Sequence, residues 1–272
     1  MQKKMKVKKS LPALSELVSL KNRRALITGS GSGIGRAMAY RFAEAGANLE
    51  LVDINEESLS VVKQELKHFN VEINVHKVNL SKKEEIDTLW KKLSGEEPSI
   101  LVNNAGIYPS KSFLDVDEAF LQKVMGINLN SVFWMCQHMI RTRLKKGGVI
   151  INLGSIEAIM PLKEGLCHYA ISKAGIMVLS RALASEYGKH GFRINVLVPG
   201  GIWTPGTRNL AKEVMKLKLS VVKSGIEYKM RTPLGRMGKA DEIARMALVL
   251  ASDLSSYVNG TLIVVDGGFL SA

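Results

Sequence analysis

The 272-residue sequence has little of what builds extracellular, membrane or metal-dependent proteins. Its 2 Cys, Cys136 and Cys167, are too few for a disulfide scaffold, and its 5 His are not at metal-ligand spacings. The longest stretch without a charged side chain, Val124–Ile140, contains several polar residues, so the sequence has no apolar run of about 18 residues that would cross a bilayer. The N-terminus also has no apolar segment of a signal peptide. We therefore expect a cytoplasmic protein without bound metal.

The formal net charge is +13 at pH 7, and much of it precedes residue 25, where eight Lys or Arg side chains face one Glu. A basic arm of this kind is either a solvated tail or a contact for nucleic acid, anionic membrane or an acidic carrier protein. Because the arm is rich in Lys and has no aromatic residue, we favour the solvated tail and expect neither nucleic-acid nor membrane binding. We divide the chain into this extension, residues 1–22, and one domain, residues 23–272.

From Arg24 onward, short β-branched or Leu-rich runs alternate with longer amphipathic segments, as in repeated βα units. We expect a Rossmann-type doubly wound α/β fold with a seven-stranded parallel sheet flanked by helices. The predicted strands are Ala25–Thr28, Asn48–Asp53, Glu72–Lys77, Ile100–Asn103, Gly148–Leu153, Arg193–Val198 and Leu262–Val265. The predicted helices are Gly33–Ala45, Glu56–Phe69, Lys82–Leu93, Asp117–Lys145, Tyr169–His190 and Ala240–Ala251. Residues 206–230 interrupt the alternation and are expected to form a lid over the substrate.

A glycine-rich turn joins the first predicted strand to the first predicted helix. Glycines permit a tight turn and a close approach of the backbone to a pyrophosphate, and the helix N-terminus adds free N–H groups and a positive dipole. We therefore predict that a dinucleotide contacts Gly29, Ser30, Ser32, Gly33, Ile34 and Gly35.

Asp53 ends the second predicted strand, at the distance from this turn that a ribose-binding carboxylate has. Its carboxylate would accept hydrogen bonds from the adenosine ribose hydroxyls and repel the 2′-phosphate of NADP. Arg36 is the nearby cation that would favour NADP, but it lies in the first helix rather than in the turn. We expect NAD as the preferred cofactor and keep NADP as the alternative.

Three polar side chains are expected to converge on one pocket. Tyr169 and Lys173 are four residues apart at the start of a helix, hence on one face, and Ser155 follows a strand at the edge where open α/β sheets bind ligands. Hydride transfer at a carbinol carbon needs a proton-transfer group that titrates nearer neutrality than a free phenol. We assign that role to Tyr169, expect Lys173 to lower its pKa, and expect Ser155 to hydrogen-bond the substrate oxygen.

In this order and spacing the motifs resemble the short-chain dehydrogenase/reductase superfamily, from about Arg24 to the C-terminus. Matching segments are also found at Asn103–Gly106, Asn128, Pro199-Gly200, Ile202, Thr204 and Asp266–Gly268. The resemblance implies that Asn128 is a fourth catalytic residue, whose backbone holds a water in a relay from Lys173. It also implies cofactor contacts from Asn104, Ala105, Gly106, Tyr169, Lys173, Pro199, Gly200, Ile202 and Thr204. Where the family usually has Asp and an apolar residue against the adenine, this chain has Asn79-Leu80, and we keep both as adenine contacts because Asn retains an acceptor.

The candidate substrate contacts are Ser155, Tyr169, Glu157 and Trp203, with Ile107 and Tyr108 among the pocket walls. A carboxylate at Glu157 would accept hydrogen bonds from the hydroxyls of a sugar or polyol; otherwise Glu157 is a surface charge or binds a backbone amide. We expect an NAD-dependent sugar or polyol dehydrogenase. The alternative is a 3-oxoacyl-(acyl-carrier-protein) reductase, which would use the basic surface, and a remote one is a non-catalytic cofactor- or nucleic-acid-binding protein.

The predicted helices 117–145 and 169–190 have more apolar residues than one sheet face needs, which suggests association. In the superfamily that the chain resembles, the equivalent helices build a dimer and the last strand extends it to a tetramer. We therefore expect a homotetramer or a homodimer.

Overall fold

The computed structural model describes residues 11–204 and 230–272. The strands in this part of the chain are β1 (Arg24–Thr28), β2 (Asn48–Asp53), β3 (Ile73–Lys77), β4 (Ile100–Asn103), β5 (Gly148–Leu153), β6 (Phe192–Pro199), β7 (Ile202–Trp203), β8 (Gly238–Lys239) and β9 (Leu262–Val265). Seven of these form one sheet in the order β3-β2-β1-β4-β5-β6-β9, and every pairing in it is parallel. β7 and β8 form a separate two-stranded pair. The expected seven-stranded parallel sheet is confirmed.

The α-helices of the described residues are α1 (Leu14–Val18), α2 (Gly33–Glu44), α3 (Glu56–Glu65), α4 (Lys83–Lys92), α5 (Glu118–Met125), α6 (Ser131–Arg143), α7 (Cys167–Tyr187) and α8 (Ala240–Ala251). A π-helical segment, Gly126–Asn130, joins α5 to α6. No helix in this part of the chain is long and apolar enough to cross a membrane.

Helices cover both faces of the sheet, so the strands are buried on both sides, as is usual for parallel sheets. Successive residues of β1 show this alternation: Ile27 packs with the cluster that includes α2, α3 and α8, whereas Leu26 packs with the cluster that includes α4, α6 and α7. Both side chains are fully buried. This two-sided core is the framework of a doubly wound fold.

The strand order reverses between β1 and β4, because the chain first winds outward through β2 and β3 and then continues on the other side of β1. In open α/β sheets, ligands bind outside the carboxyl ends of the strands at such a switch point. The glycine-rich turn follows β1, and the Asn103–Gly106 segment begins at the end of β4. The fold therefore places both predicted cofactor motifs at the switch point.

Several predicted boundaries differ from the observed ones. The helix predicted over Asp117–Lys145 is divided by the π-helical segment, and α1 and the β7–β8 pair were not predicted. Leu20, inside the predicted N-terminal extension, is fully buried, and its amide donates to the carbonyl of Ala45. The predicted lid, residues 206–230, lies outside the described residues except for Met230.

Candidate active site

The glycine-rich turn after β1 leaves backbone uncovered. Gly29 and Gly33 adopt positive φ angles of 64° and 54°, which residues with a Cβ rarely adopt. A Cβ on Gly35 would overlap the carbonyl oxygen of Gly29 and come within 2.6 Å of Asn104 Nδ2. Only glycine therefore fits at Gly35, and the bare backbone at the start of α2 fits a pyrophosphate.

This turn is fastened to the segment after β4. The Thr28 hydroxyl accepts hydrogen bonds from the amides of Asn104 (3.0 Å) and Ala105 (3.1 Å). Asn104 Nδ2 in turn donates to the carbonyls of Thr28 (2.9 Å) and Gly29 (3.1 Å). Asn104 and Ala105 thus lie beside the glycine-rich turn, while the backbone amide and the hydroxyl of Ser30 both donate to the carbonyl of Val52.

Asp53, at the end of β2, faces the same turn. Its Oδ2 accepts a hydrogen bond from the amide of Gly31 at 2.9 Å, and its Oδ1 accepts one from the amide of Asn55 at 3.1 Å. A carboxylate in this place fits the ribose hydroxyls of a dinucleotide. Arg36 is paired with another acid, since its Nη2 lies 2.5 Å from Glu65 Oε1 on α3.

The segment after β3 contains Asn79 and Leu80, the predicted adenine contacts. Asn79 Oδ1 accepts hydrogen bonds from the backbone amide (3.0 Å) and the hydroxyl (2.7 Å) of Ser81. The backbone amide of Asn79 donates to Glu85 Oε2 at 2.7 Å. The oxygen that was expected to accept from the adenine amino group already has two donors. Leu80 is buried in the core cluster of Leu26.

The catalytic candidates meet at the ends of β5 and α7. Ser155 lies just after β5, and its side chain hydrogen-bonds the Tyr169 hydroxyl. Lys173, one turn along α7, is buried; its Nζ lies 5.8 Å from the Tyr169 ring centroid and donates to the carbonyl of Leu153 at 2.8 Å. The structure therefore brings Ser155, Tyr169 and Lys173 together, as the sequence predicts.

Burial controls the protonation of these groups. It raises the pKa of Tyr169 to about 12, although the hydrogen bond with Ser155 opposes the shift and the negative charge of Glu157 adds to it. Burial also lowers the pKa of Lys173 to about 8. Desolvation thus raises the Tyr169 pKa away from neutrality, and the role of Lys173 in lowering it stays a prediction.

Asn128 is fully buried in the π-helical segment and fastens the segment after β4. Its Oδ1 accepts from the amide of Ile107, and its Nδ2 donates to the carbonyl of Ile107, each at 2.8 Å. Nδ2 also donates to the Ser172 hydroxyl at 3.2 Å. A Cβ on Gly106 would lie 3.4 Å from Asn128 Oδ1 and 3.5 Å from Lys173 Nζ, so the three residues adjoin one another.

The remaining predicted residues lie in the segments that follow β5 and β6, and Trp203 lines a hollow with Gly33 and Arg36 of α2. Glu157 is buried, and its Oε2 accepts a hydrogen bond from the amide of Leu162 at 2.9 Å. Pro199 ends β6, the Gly200 amide donates to Val265, and Ile202 is buried in the β7–β8 pair. Thr204 lies beside the Tyr108 hydroxyl, while Trp203 is 54% exposed. Among residues 11–204 and 230–272, no three His, Cys, Asp or Glu side chains are grouped so that they could hold a metal ion.

Comparisons with known proteins decide the family. A family model described as enoyl-(acyl carrier protein) reductase matches residues 29–270. The crystal structure of a short-chain type dehydrogenase/reductase from Mycobacterium marinum superposes with a TM-score of 0.87, at 30% identity over 96% of this chain and 100% of that one. This chain belongs to the short-chain dehydrogenase/reductase superfamily. It is therefore an oxidoreductase that uses a nicotinamide cofactor on alcohol or ketone substrates.

Relatives within the superfamily have different substrates. The 3-oxoacyl-(acyl-carrier-protein) reductase FabG of Chlamydia muridarum is 35% identical, covering 92% of this chain and 98% of its own. A gluconate 5-dehydrogenase from Burkholderia cenocepacia, whose structure holds NADP and tartrate, is 29% identical with a TM-score of 0.86, covering 96% of this chain and 100% of its own. Family membership thus fixes the reaction type and leaves substrate and cofactor choice to this chain's own residues.

Proposed function

We propose that this enzyme is an NAD-dependent dehydrogenase of a sugar or another polyol. The observation that supports NAD is the Asp53 carboxylate, hydrogen-bonded to the Gly31 amide at the turn. A 2′-phosphate brought beside this carboxylate would meet a like charge, whereas free ribose hydroxyls would donate hydrogen bonds to it. Arg36, the cation nearby in sequence, is paired with Glu65.

The cofactor, when bound, supplies the carbon that accepts or returns a hydride. The glycine-rich turn would hold its pyrophosphate, Asp53 its ribose, and Lys173 with Tyr169 the nicotinamide side. With a pKa of about 12, Tyr169 holds its proton at neutral pH and is ready to donate it to a ketone oxygen. For alcohol oxidation the phenol must lose that proton, and the charge of Lys173, whose Nζ is 5.8 Å from the ring centroid, favours the phenolate.

Glu157 supports a polyhydroxylated substrate. It is buried near Tyr169, close enough for its charge to raise the pKa of that phenol. One carboxylate oxygen is bonded to the Leu162 amide, and a carboxylate can accept further hydrogen bonds. Hydroxyls next to the reacting carbon of a sugar would supply those donors, whereas the chain of an acyl thioester has none.

A second candidate, reduction of 3-oxoacyl groups on an acyl carrier protein, is favoured by one specific observation. The relative from Chlamydia muridarum named for that reaction matches nearly the whole chain. The net charge of +13 would also suit an acidic carrier. Asp53 argues against it, since biosynthetic reduction usually draws on NADPH. Glu157 argues against it as well, since the chain of an acyl thioester has no hydroxyls to donate to this carboxylate.

We also propose that the enzyme is a cytoplasmic homodimer or homotetramer. Phe133 on α6 is exposed and lines a hollow with Leu129 and Trp134, and Ile171 and Val178 on α7 are exposed apolar side chains. A second copy that covers this face would bury them. Light scattering of the purified enzyme tests this: a mass of 29.8 kDa for one chain would contradict it.

Initial rates of formation or consumption of the reduced cofactor test the proposed function. The wild-type enzyme is given aldoses, polyols and simple secondary alcohols with NAD or NADP, beside acetoacetyl thioester with NADH or NADPH. We expect NAD-dependent oxidation of a sugar or polyol, with Glu157→Gln losing more activity on polyols than on simple alcohols. Thioester reduction with NADPH would overturn both the cofactor and the substrate assignments.

A further inference from the structure

The loop between β4 and α5, residues 104–117, is fastened to the start of α7 by a histidine. His168 is 1% exposed, and its Nε2 lies 2.7 Å from the carbonyl oxygen of Pro109. Because a carbonyl only accepts, Nε2 must be the donor and carries the proton. A second bond at the same place runs from the Lys111 amide to the carbonyl of Gly165, at 3.0 Å.

The other ring nitrogen of His168 gains nothing from burial. In the described part of the chain Nδ1 is buried and has no hydrogen-bond partner. The ring packs edge-on against Phe120 of α5, with centroids 4.8 Å apart. An apolar side chain would fill this place without an unsatisfied Nδ1 but would leave the Pro109 carbonyl without its donor, so the bond to Pro109 is what the histidine contributes.

The hydrogen bond between His168 and Pro109 joins two residues that are each adjacent in sequence to a tyrosine. Tyr108 precedes Pro109 and Tyr169 follows His168, and their rings meet edge to face with centroids 6.1 Å apart and planes at 65°. On the other side of Tyr108, both backbone groups of Ile107 are bonded to Asn128. Tyr108 therefore lies between two fixed points of the loop, and its buried hydroxyl lies beside Thr204.

We propose that His168 is a positioning residue that, through the carbonyl of Pro109, holds the Tyr108 ring against Tyr169 as the wall of the substrate site. Tyr108 then contacts the substrate next to the reacting oxygen. Without the bond, the loop keeps its attachments at Ile107 and Lys111, but the intervening Tyr108 can swing away from Tyr169 and admit water. This inference rests on the proposed catalytic role of Tyr169, and it holds whichever alcohol or ketone is the substrate.

The first test reads the loop without any substrate. His168→Leu removes the donor at similar volume, whereas His168→Gln keeps an N–H at a length that reaches Pro109. Hydrogen exchange followed by mass spectrometry should show peptides from residues 105–112 exchanging roughly five- to tenfold faster in His168→Leu, with His168→Gln close to wild type. Peptides from α8 are the internal control. Unchanged exchange of the loop in His168→Leu would overturn the proposal.

The second test asks whether His168 acts through Tyr108. In a double-mutant cycle, His168→Leu should lower kcat/KM about tenfold in the wild-type background and no more than about twofold in Tyr108→Ala. His168→Gln should restore most of the loss, and the dissociation constant of NADH should stay within about twofold throughout. An equal loss in both backgrounds, or an equal loss of NADH affinity, would contradict a role through Tyr108.

These tests separate this inference from the proposed function. The cycle is measured on whichever substrate of the panel the wild-type enzyme turns over, the acyl thioester included. If wild-type enzyme oxidises no sugar with NAD, the proposed function fails while the cycle and the exchange data still decide the role of His168. If sugar oxidation is found and the cycle is additive, the proposed function stands and the role of His168 fails.

Discussion

The two halves of the ligand-binding edge are built differently. At the ends of β1 and β2 the site consists of uncovered backbone, with glycines, amides and one carboxylate held by main-chain hydrogen bonds. At the ends of β4 and β5 it consists of buried side chains, Ser155, Lys173 and Asn128, packed around the half-buried Tyr169. The first half depends on the shape of the backbone, and the second on what burial does to polar groups.

This difference has a consequence for function. Most of the cofactor affinity should depend on the backbone half, which would hold the pyrophosphate and the ribose, and proton transfer should depend on the side-chain half. Substitutions in one half should therefore leave the property of the other almost unchanged. Four substitutions examine this separation.

The largest effect is expected for Tyr169→Phe. The change deletes the proton that Tyr169 carries and leaves its ring in place, so kcat should fall by roughly 10²–10⁴-fold. The dissociation constant of NADH, measured by fluorescence, should change by no more than a few-fold. A variant that keeps near-normal kcat would show that another group transfers the proton.

Gly35→Ala should have the opposite outcome. The added methyl would overlap the Gly29 carbonyl and approach Asn104 Nδ2, which are fixed backbone and a bonded side chain. We expect NADH affinity to fall by roughly 100-fold, equivalent to about 3 kcal/mol of strain at the turn.

Gly126→Ala is the matched control, since a Cβ there has no neighbour within 4 Å and its φ is −57°. This variant should bind NADH as the wild type does. If both variants bind alike, the turn does not hold the cofactor.

The backbone half could be predicted from the sequence because its determinants are local. The turn has a glycine at every second position from Gly29 to Gly35. β4 and β5 have the predicted bounds because strands buried on both faces are continuous apolar runs. Asp53 needed only its place at the end of a strand. In this half, the residues of one short segment determine the conformation of that segment.

The side-chain half was less predictable because its determinants are tertiary. Asn128 bonds to Ile107 from a π-helical segment that interrupts the predicted helix, and no local pattern marks that contact. The partner of His168, Pro109, lies 59 residues away in the sequence, so no local pattern indicates their hydrogen bond. The pKa values of Tyr169 and Lys173 depend on burial, which the spacing of two residues on a helix does not reveal.

Lys173→Met tests the burial of Lys173 through the pH dependence of the free energy of unfolding. The folded protein holds the pKa of Lys173 at about 8, below its ordinary 10.5, so between these values the unfolded chain binds more protons. Stability contributed by this group is therefore lowest below pH 8 and rises toward pH 10.5. Between pH 7.5 and 9.5 the free energy of unfolding of the wild type should rise by about 2 kcal/mol relative to Lys173→Met.

Urea denaturation of wild type and Lys173→Met without added cofactor, at pH 7.5 and at pH 9.5, measures this difference in the free energy of unfolding. The comparison stops at pH 9.5 because Tyr169, with its pKa raised from 10.0 to about 12, acts in the other direction above pH 10. Parallel pH dependences of the two proteins would mean that Lys173 is not desolvated. The side-chain half would then be less distinct from the backbone half than the structure indicates.

Asp53→Ala should have the smallest effect, about a tenfold narrowing of the ratio of kcat/KM with NAD to kcat/KM with NADP, because the ribose loses charged acceptors and the 2′-phosphate loses a repelling charge. The same change removes the partner of the Gly31 amide, so it alters the turn as well. Asp53→Asn separates these causes, since it keeps an oxygen for Gly31 and loses only the charge. If Asp53→Asn narrows the ratio of kcat/KM values as much as Asp53→Ala does, the charge of Asp53 sets cofactor choice. If only Asp53→Ala narrows this ratio, Asp53 acts by holding the turn. An unchanged ratio in both variants would place the ribose elsewhere, and NAD preference would then lose its support.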